Sequence, residues 1–561
     1  MSTTVAGDMP PAAQPSSGFL SKERIIAAPG FNRWLVPPAA LAIHLCIGMA
    51  YGFSVFWLPL SKALGIKEAL KCGPEVGFWQ ELFVTNCDWK VSTLGWMYTA
   101  FFVLLGCSAA LWGGWLERAG PRKAGVVAAV CWCGGMLMSA VGVMQHQFWM
   151  LLLGSGVIGG IGLGLGYISP VSTLIKWFPD RRGMATGMAI MGFGGGAMIG
   201  SPLAAELMKT FATPTDVGVA QTFVVMALVY FVFMMGGALA YRVPATNWKP
   251  EGWTPPPAQT GNAMITQGHV HVKKVWGIPQ FWLVWMVLCM NVSAGIGVIG
   301  MASPMLQEIF GGSLIGLSGD AAKFTALDKG QLTAIAGVAA GFAALISLFN
   351  IGGRFVWASL SDKLGRKMTY VVFFVLGAAM YASIPASAAA GSKLLFVGAV
   401  CVILSMYGGG FATVPAYLAD LFGTQMVGAI HGRLLTAWAT AGILGPVVVN
   451  YMRDYQLGLG LPREQVYNQT MYILVGMLAI GLVCNLLVRP IDKKHFMSDA
   501  ELAEEKRLAH DKAAVAAQGG VGHAAAHVSN PVWVVLAWAA VGIPLAWGIY
   551  RTGLSVTKFF H

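Results

Sequence analysis

The stretch Asn350–Lys367, NIGGRFVWASLSDKLGRK, decides how this chain is read. It joins a long apolar segment to a short basic turn, and it carries Arg354 about two helical turns before that turn. If the residues before it cross a membrane, Arg354 lies at hydrocarbon depth, where an arginine costs roughly 2.5–3.5 kcal/mol on insertion scales. A charge retained at that cost faces water, a partner or a ligand. The expected occupant here is an anionic substrate.

The surrounding composition agrees with a membrane setting. Of 561 residues, 56% are hydrophobic and only 11% charged, where a soluble chain carries about a quarter charged residues. Apolar runs long enough to cross about 30 Å of hydrocarbon recur from end to end. The fold class expected is all-α, a polytopic helical membrane protein. The 36 basic and 24 acidic residues leave a net charge of +12. Because the basic residues sit in short connections between apolar runs, they set topology rather than mark a nucleic-acid partner.

The pattern predicts a tail (1–33), six spans (34–241), a polar linker (242–278) and six more spans (279–488). A charged segment (489–530) and a thirteenth apolar run (531–550) follow. The two halves repeat at one offset. Pro59 and Pro304 stand 245 residues apart, and so do Gly52 and Gly297, Gly120 and Gly365, Pro170 and Pro415, and Gly183 and Gly428. Two six-span halves in parallel repeat describe the major facilitator architecture, with its site between the halves near the midplane.

Charge then orients the chain. Arg118, Arg122 and Lys123 follow span two, Lys176 follows span four, and Lys363, Arg366 and Lys367 follow span eight. All fall on the side of the N-terminus, which the rule places in the cytoplasm of a plasma (inner) membrane. The first 30 residues are polar and rich in Pro and Ser, so they are not read as a signal peptide. Alternation puts the end of the thirteenth run outside, although Arg551 and Lys558 on that side run against the charge rule. Cys72 and Cys87 fall in the polar insert after span one, where disulfides persist; they are either bridged or two unpaired loop thiols. The glycines of GSGVIGGIGLGLG (154–166) follow no strand and lie in a span, so close helix packing explains them better than a nucleotide fingerprint.

WLERAGPRK (115–123) and SLSDKLGRK (359–367) resemble the loop motif of the major facilitator superfamily, Gly-x-x-x-Asp-Arg-x-Gly-Arg-Arg/Lys. The resemblance implies a gating role for Glu117, Arg118, Asp362, Lys363 and Arg366 through charge pairs between bundles. The first copy departs from the pattern at Glu117 and Pro121. WFPDRRGMATG (177–187), FWLVWMVLCMNVSAGIGVIGMASPMLQEIFG (281–311) and the stretch 407–446 carry a closer resemblance, to the oxalate/formate antiporter family. That family exchanges small carboxylates. In its oxalate carrier a helix-eight arginine and a helix-eleven lysine clamp the dianion among aromatic side chains.

Arg354 matches that arginine by its distance before SDKLGR, but the lysine position falls in LLTAWATAG and is Trp438 here. One fixed cation fits one carboxylate, so a monoanion suits this chain better than a dianion. The repeat partner of Arg354 is Ala109, so the fold does not itself demand a charge there. The competing structural explanation is a buried arginine paired with a helix-end carbonyl or with Asp420. Tyr51, Tyr98, Tyr167 and Tyr407 fall in spans that line the cavity of this architecture, and a tyrosine can offer an anion its hydroxyl. His44 could hold a proton or be a satisfied core histidine.

The function expected is secondary active transport of small mono- or dicarboxylates such as formate or oxalate, by antiport. A proton-coupled monocarboxylate symporter and a transporter-like nutrient sensor are the alternatives. Glu206, Glu308 and Asp420 lie near span ends, so the census disfavours a cation pump. No nucleophile–base pair or metal cluster is spaced for an enzyme. The partners expected are the anion, its counter-substrate and the bilayer, with no cofactor, no metal and no second copy required.

Overall fold

Inside a bilayer the backbone must satisfy its own hydrogen bonds, and the apolar runs do so as helices. The computed structural model describes residues 19–66, 68–73, 76–178, 180, 182–245, 248–252, 264–266, 268–423, 425–505, 507 and 530–557. Among these, thirteen helices are long and apolar enough to span a membrane. The first six are α1 (Arg33–Leu60), α2 (Val91–Gly113), α3 (Pro121–Met144), α4 (Phe148–Leu174), α5 (Gly187–Phe211) and α6 (Val219–Ala240). The second six are α7 (Pro279–Gly300), α8 (Lys329–Leu364), α9 (Arg366–Ala389), α10 (Lys393–Phe422), α11 (Val427–Gly458) and α12 (Arg463–Leu487). The last, α13, runs from Pro531 to Leu554. Only isolated β-bridges interrupt this all-helical pattern among the described residues.

The 245-residue repeat is physical. Gly120 joins α2 to α3 at φ 86°, and Gly365 joins α8 to α9 at φ 82°. At both junctions a left-handed backbone lets one helix turn tightly into the next, which only glycine does without strain. Two residues later, a cation caps a helix that has run out of partners for its carbonyls. Arg122 donates to the carbonyl oxygens of Leu239 (3.0 Å) and Tyr241 (3.4 Å) at the end of α6. Lys367 donates to those of Leu486 and Val488 (2.8 Å each) at the end of α12. These caps, with residues 19–27 and 268–278, mark what we call the N-terminal face.

At the opposite face Cys72 and Cys87 are joined by a disulfide. Beside it the Asp88 carboxylate accepts from the backbone N–H groups of Leu64 (2.7 Å), Gly65 (3.0 Å) and Leu70 (2.8 Å), folding the insert back on itself. His146 stacks flat on Trp89 and donates from Nε2 to the Cys87 carbonyl at 2.8 Å. Burial, partly offset by that bond, holds its pKa below the ordinary histidine value, so the ring is neutral near pH 7.

Further round this face, Glu308 is fully buried in the short helix Ala302–Phe310 that continues α7. Arg453 of α11 grips its carboxylate through Nε (2.8 Å) and Nη2, while Arg463 Nη1 (2.5 Å) and the Tyr467 hydroxyl (2.6 Å) donate from α12. Two cations and a phenol satisfy a carboxylate that would otherwise be prohibitively placed.

Helix α13 packs against α1, α5 and α8. Trp538 Nε1 donates to the Trp34 carbonyl at the start of α1, and Arg551 pairs with Glu206 near the end of α5. It therefore runs parallel to α1 and α5. The Glu206 partner explains why a cation sits at the end where the charge rule does not want one.

Candidate functional site

Arg354 is entirely buried on α8, and its seat is made by a neighbour one turn back and a glycine across the bundle boundary. Its Nε donates to Asn350 Oδ1 at 3.1 Å. A Cβ on Gly194 of α5 would lie 2.9 Å from that Nε and 3.1 Å from that Oδ1, so the missing side chain is what admits the pair. The terminal Nη1 and Nη2 make no hydrogen bond of ordinary geometry among the described residues, although the Tyr51 hydroxyl stands close enough to interact with the guanidinium. Asp420, the candidate acidic partner, instead stands 3.6 Å from Arg366. Leaving a buried polar group unpaired costs about 1–3 kcal/mol, and more when it is charged.

Around this fork stands an aromatic cage drawn from both bundles. The guanidinium lies 5.6 Å from the Phe411 ring, and Phe411 packs 4.4 Å from Trp438. Trp438 in turn meets Tyr167 (5.1 Å), Phe193 (5.7 Å) and Phe102 (5.8 Å). Tyr51 and Tyr407 share a hydroxyl–hydroxyl hydrogen bond of 2.8 Å between α1 and α10. Tyr51, Tyr167 and Tyr407 all lie within electrostatic reach of the guanidinium. The Tyr167 hydroxyl and Trp438 Nε1 are buried without a partner. Asn350 Nδ2 and the Tyr98 hydroxyl are likewise buried without a partner.

Tyr98 belongs to the rim. It sits one turn from Phe102 toward the disulfide face, with its ring against Gly300 of α7. His44 is held by backbone carbonyls, Nε2 lying 3.1 Å from that of Tyr167 and Nδ1 against that of Ala189, and it too lies within electrostatic reach of Arg354. A neutral imidazole has one N–H, so only the protonated ring could donate to both oxygens.

This cluster is buried: Tyr51, Tyr167, Phe193, Arg354, Tyr407 and Trp438 are all between 0% and 2% exposed. At the disulfide face, Trp57 Nε1 donates to Gly300 O (2.8 Å) and Trp96 Nε1 to the Tyr451 hydroxyl (2.9 Å), each bond crossing from the first bundle to the second. A small crevice beside Asn291, Tyr381 and Leu478 touches this cluster through Tyr407 and has no charged lining residue.

The loop motif is only partly described. The side chains of Glu117 and Arg118 lie outside the described residues. In the second copy Arg366 pairs with Asp362 (2.5 Å), bonds to Ser361 and approaches Asp420, while Lys363 is exposed. These pairs run among α8, α9 and α10, inside one bundle rather than between bundles.

Sequence reading missed Phe102, Phe193, Phe411, Asn350 and Gly194. One signal was available: Phe193 and Trp438 are 245 residues apart, so the repeat places them as counterparts, and they meet face to edge on the boundary.

Comparison with known proteins gives the family and the fold. A family model described as Major Facilitator Superfamily matches residues 40–446 and 342–560. An oxalate:formate antiporter from Oxalobacter formigenes is 24% identical over 419 residues, covering 74% of this chain and 83% of that protein. Apicoplast pyruvate carrier 1 from Toxoplasma gondii is 26% identical over 391 residues, 61% of this chain and 66% of that one. A crystal structure of a D-xylose–proton symporter superposes with a TM-score of 0.56 at 14% identity, over 83% of this chain and 99% of the symporter, and so shares the fold. The chain is a membrane transporter belonging to the Major Facilitator Superfamily, and its likeness within that family is to the oxalate:formate antiporter.

Proposed function

We propose that this protein carries small monocarboxylates across the plasma membrane by alternating access, one anion exchanged for another, with its N-terminal face in the cytoplasm. The observation that supports the reading is the forked end of Arg354, buried between the bundles with no hydrogen bond of ordinary geometry among the described residues. A carboxylate matches that fork with two parallel hydrogen bonds. Its remaining atoms would lie against the Phe411 and Trp438 rings, and a second oxygen could take the indole N–H or the Tyr167 hydroxyl. The names of the two relatives, one an oxalate:formate antiporter and one a pyruvate carrier, support a small carboxylate as cargo. The basic turns of the N-terminal face support the orientation.

A competition panel of formate, acetate, lactate, pyruvate, oxalate and malonate on the purified protein tests the class. Monoanions should displace one another and dianions should compete poorly. Trp438→Lys adds the second cation, so the preference for dianions should rise by about tenfold or more, the worth of one charge-assisted hydrogen bond. Unchanged selectivity in that variant would remove Trp438 from the site. Counterflow of labelled carboxylate in proteoliposomes separates a carrier, which accelerates exchange, from a sensor, which binds without flux.

The second reading is proton coupling, with His44, whose ring nitrogens lie against the Tyr167 and Ala189 carbonyls, as the group that would take the proton. In that case uptake should be driven by an inward proton gradient, and His44→Gln should lose the gradient dependence while retaining exchange. Uptake indifferent to the gradient in the parent protein would dispose of it.

A further inference from the structure

The thirteenth helix is attached to the first bundle along its length. Trp538 Nε1 reaches the Trp34 carbonyl at 3.1 Å, and Arg551 Nη2 reaches Glu206 Oε1 at 2.5 Å. Between these ends Val541 packs with Leu41 and Ala42 of α1. Close by, a Cβ on Gly548 would come within 3.0 Å of Ile199 and 3.1 Å of the Met198 carbonyl on α5. All four attachments belong to α1 and α5, yet the helix also lies against α8 of the second bundle. It therefore covers the seam between α5 and α8, while Trp533, Leu536, Ile543 and Tyr550 stay exposed.

Beneath Gly548 that seam is stitched by a single side chain. Ser347 of α8 donates its hydroxyl to the Gly194 carbonyl (2.5 Å) and accepts from the Met198 N–H (3.2 Å). Gly194 is also the residue whose bare Cα admits Arg354 and Asn350. One short stretch of α5 thus bears the α13 contact, the polar stitch and the seat of the guanidinium. The attachments to the first bundle include directional hydrogen bonds, which fix position. No hydrogen bond or ion pair joins α13 to α8 among the described residues, so that contact can break and re-form as a bundle swings.

We propose that α13 is a strap that moves with the first bundle and holds the α5–α8 seam closed over the buried Arg354 cluster, setting how readily the carrier leaves this closed state. This builds on the alternating-access reading but not on the identity of the cargo. The test is made on the full-length protein in lipid nanodiscs without ligand. Cysteines replace Gly187 and Phe355, which face each other across the seam with a built Cβ 3.9 Å from the Phe355 ring. Bridging by a short thiol-specific reagent then reports closure.

Gly548→Leu should lower the bridging yield by wedging the strap away from Met198. Arg551→Glu should lower it by about threefold, the scale of one exposed ion pair turned repulsive, and adding Glu206→Arg should restore it. If Gly548→Leu does not fold, the Arg551→Glu and charge-swapped chains decide alone. Bridging that stays at the parent level in Arg551→Glu, or that fails to recover in the charge-swapped chain, overturns the strap. Because closure is read without cargo, failure of carboxylate binding elsewhere leaves this test standing, and a negative seam result leaves the Arg354 assignment untouched.

Discussion

Arg354→Gln is expected to abolish anion binding while the protein folds as well as before or better. The forked contact consists of two hydrogen bonds to a charged group, each worth about 1.5–3 kcal/mol, so affinity should fall by about a hundredfold or more. Glutamine is shorter and neutral, and it leaves no unmatched charge among the buried rings. The ligand-free variant should therefore melt at the parent temperature or above it, which a merely structural arginine would not permit. Arg354→Lys keeps the charge but loses the planar fork, so it should fall between the two. Ligand-induced shifts in thermal unfolding, read beside counterflow, check all three. Undiminished carboxylate binding by Arg354→Gln would end the anchor assignment.

The largest effect on stability is expected at the disulfide face. Arg453→Met removes the main partner of a carboxylate that has no exposure to water, and breaking a buried pair from one side costs about 3–5 kcal/mol. Glu308→Gln leaves Arg453 and Arg463 facing each other over a neutral amide, and should be similarly damaging. The double variant Glu308→Leu with Arg453→Met should recover much of the loss, because two apolar side chains owe nothing to each other electrostatically. Thermal unfolding in detergent measures each, and a double variant no better than the worse single one would contradict this account. These losses should leave the Arg354-dependent selectivity of the surviving folded protein unchanged.

The pairs just described show where reading a sequence stops. The helices and their repeat were legible because they rest on local apolarity and a fixed spacing; Gly120 and Gly365 then adopt the same backbone, and Arg122 and Lys367 do the same capping work. The depth of Arg354 was legible too. Its lack of an ordinary hydrogen bond at the fork was not, since that depends on Asp420 being engaged elsewhere and on Gly194 arriving from a different bundle. Glu308 looked like an ordinary span-end acid because its partners lie 145 to 159 residues away in the chain. The direction of α13 stayed open for the same reason: Glu206, which accounts for Arg551, is 345 residues earlier. Phe102, Phe193 and Phe411 carry no mark that distinguishes a cage from a core, because apolar rings obey the same helical period in either role.

The burial of Arg354 has a kinetic corollary under the proposed exchange. Passing unladen through a closed state would hold a bare cation away from water, and stripping water from an ion costs several kcal/mol even after relaxation. With a carboxylate aboard, the same passage would carry a neutralised pair. An unladen turn would be slowed and a laden one favoured, so one-for-one swapping would follow from Coulomb's law alone, with no dedicated latch.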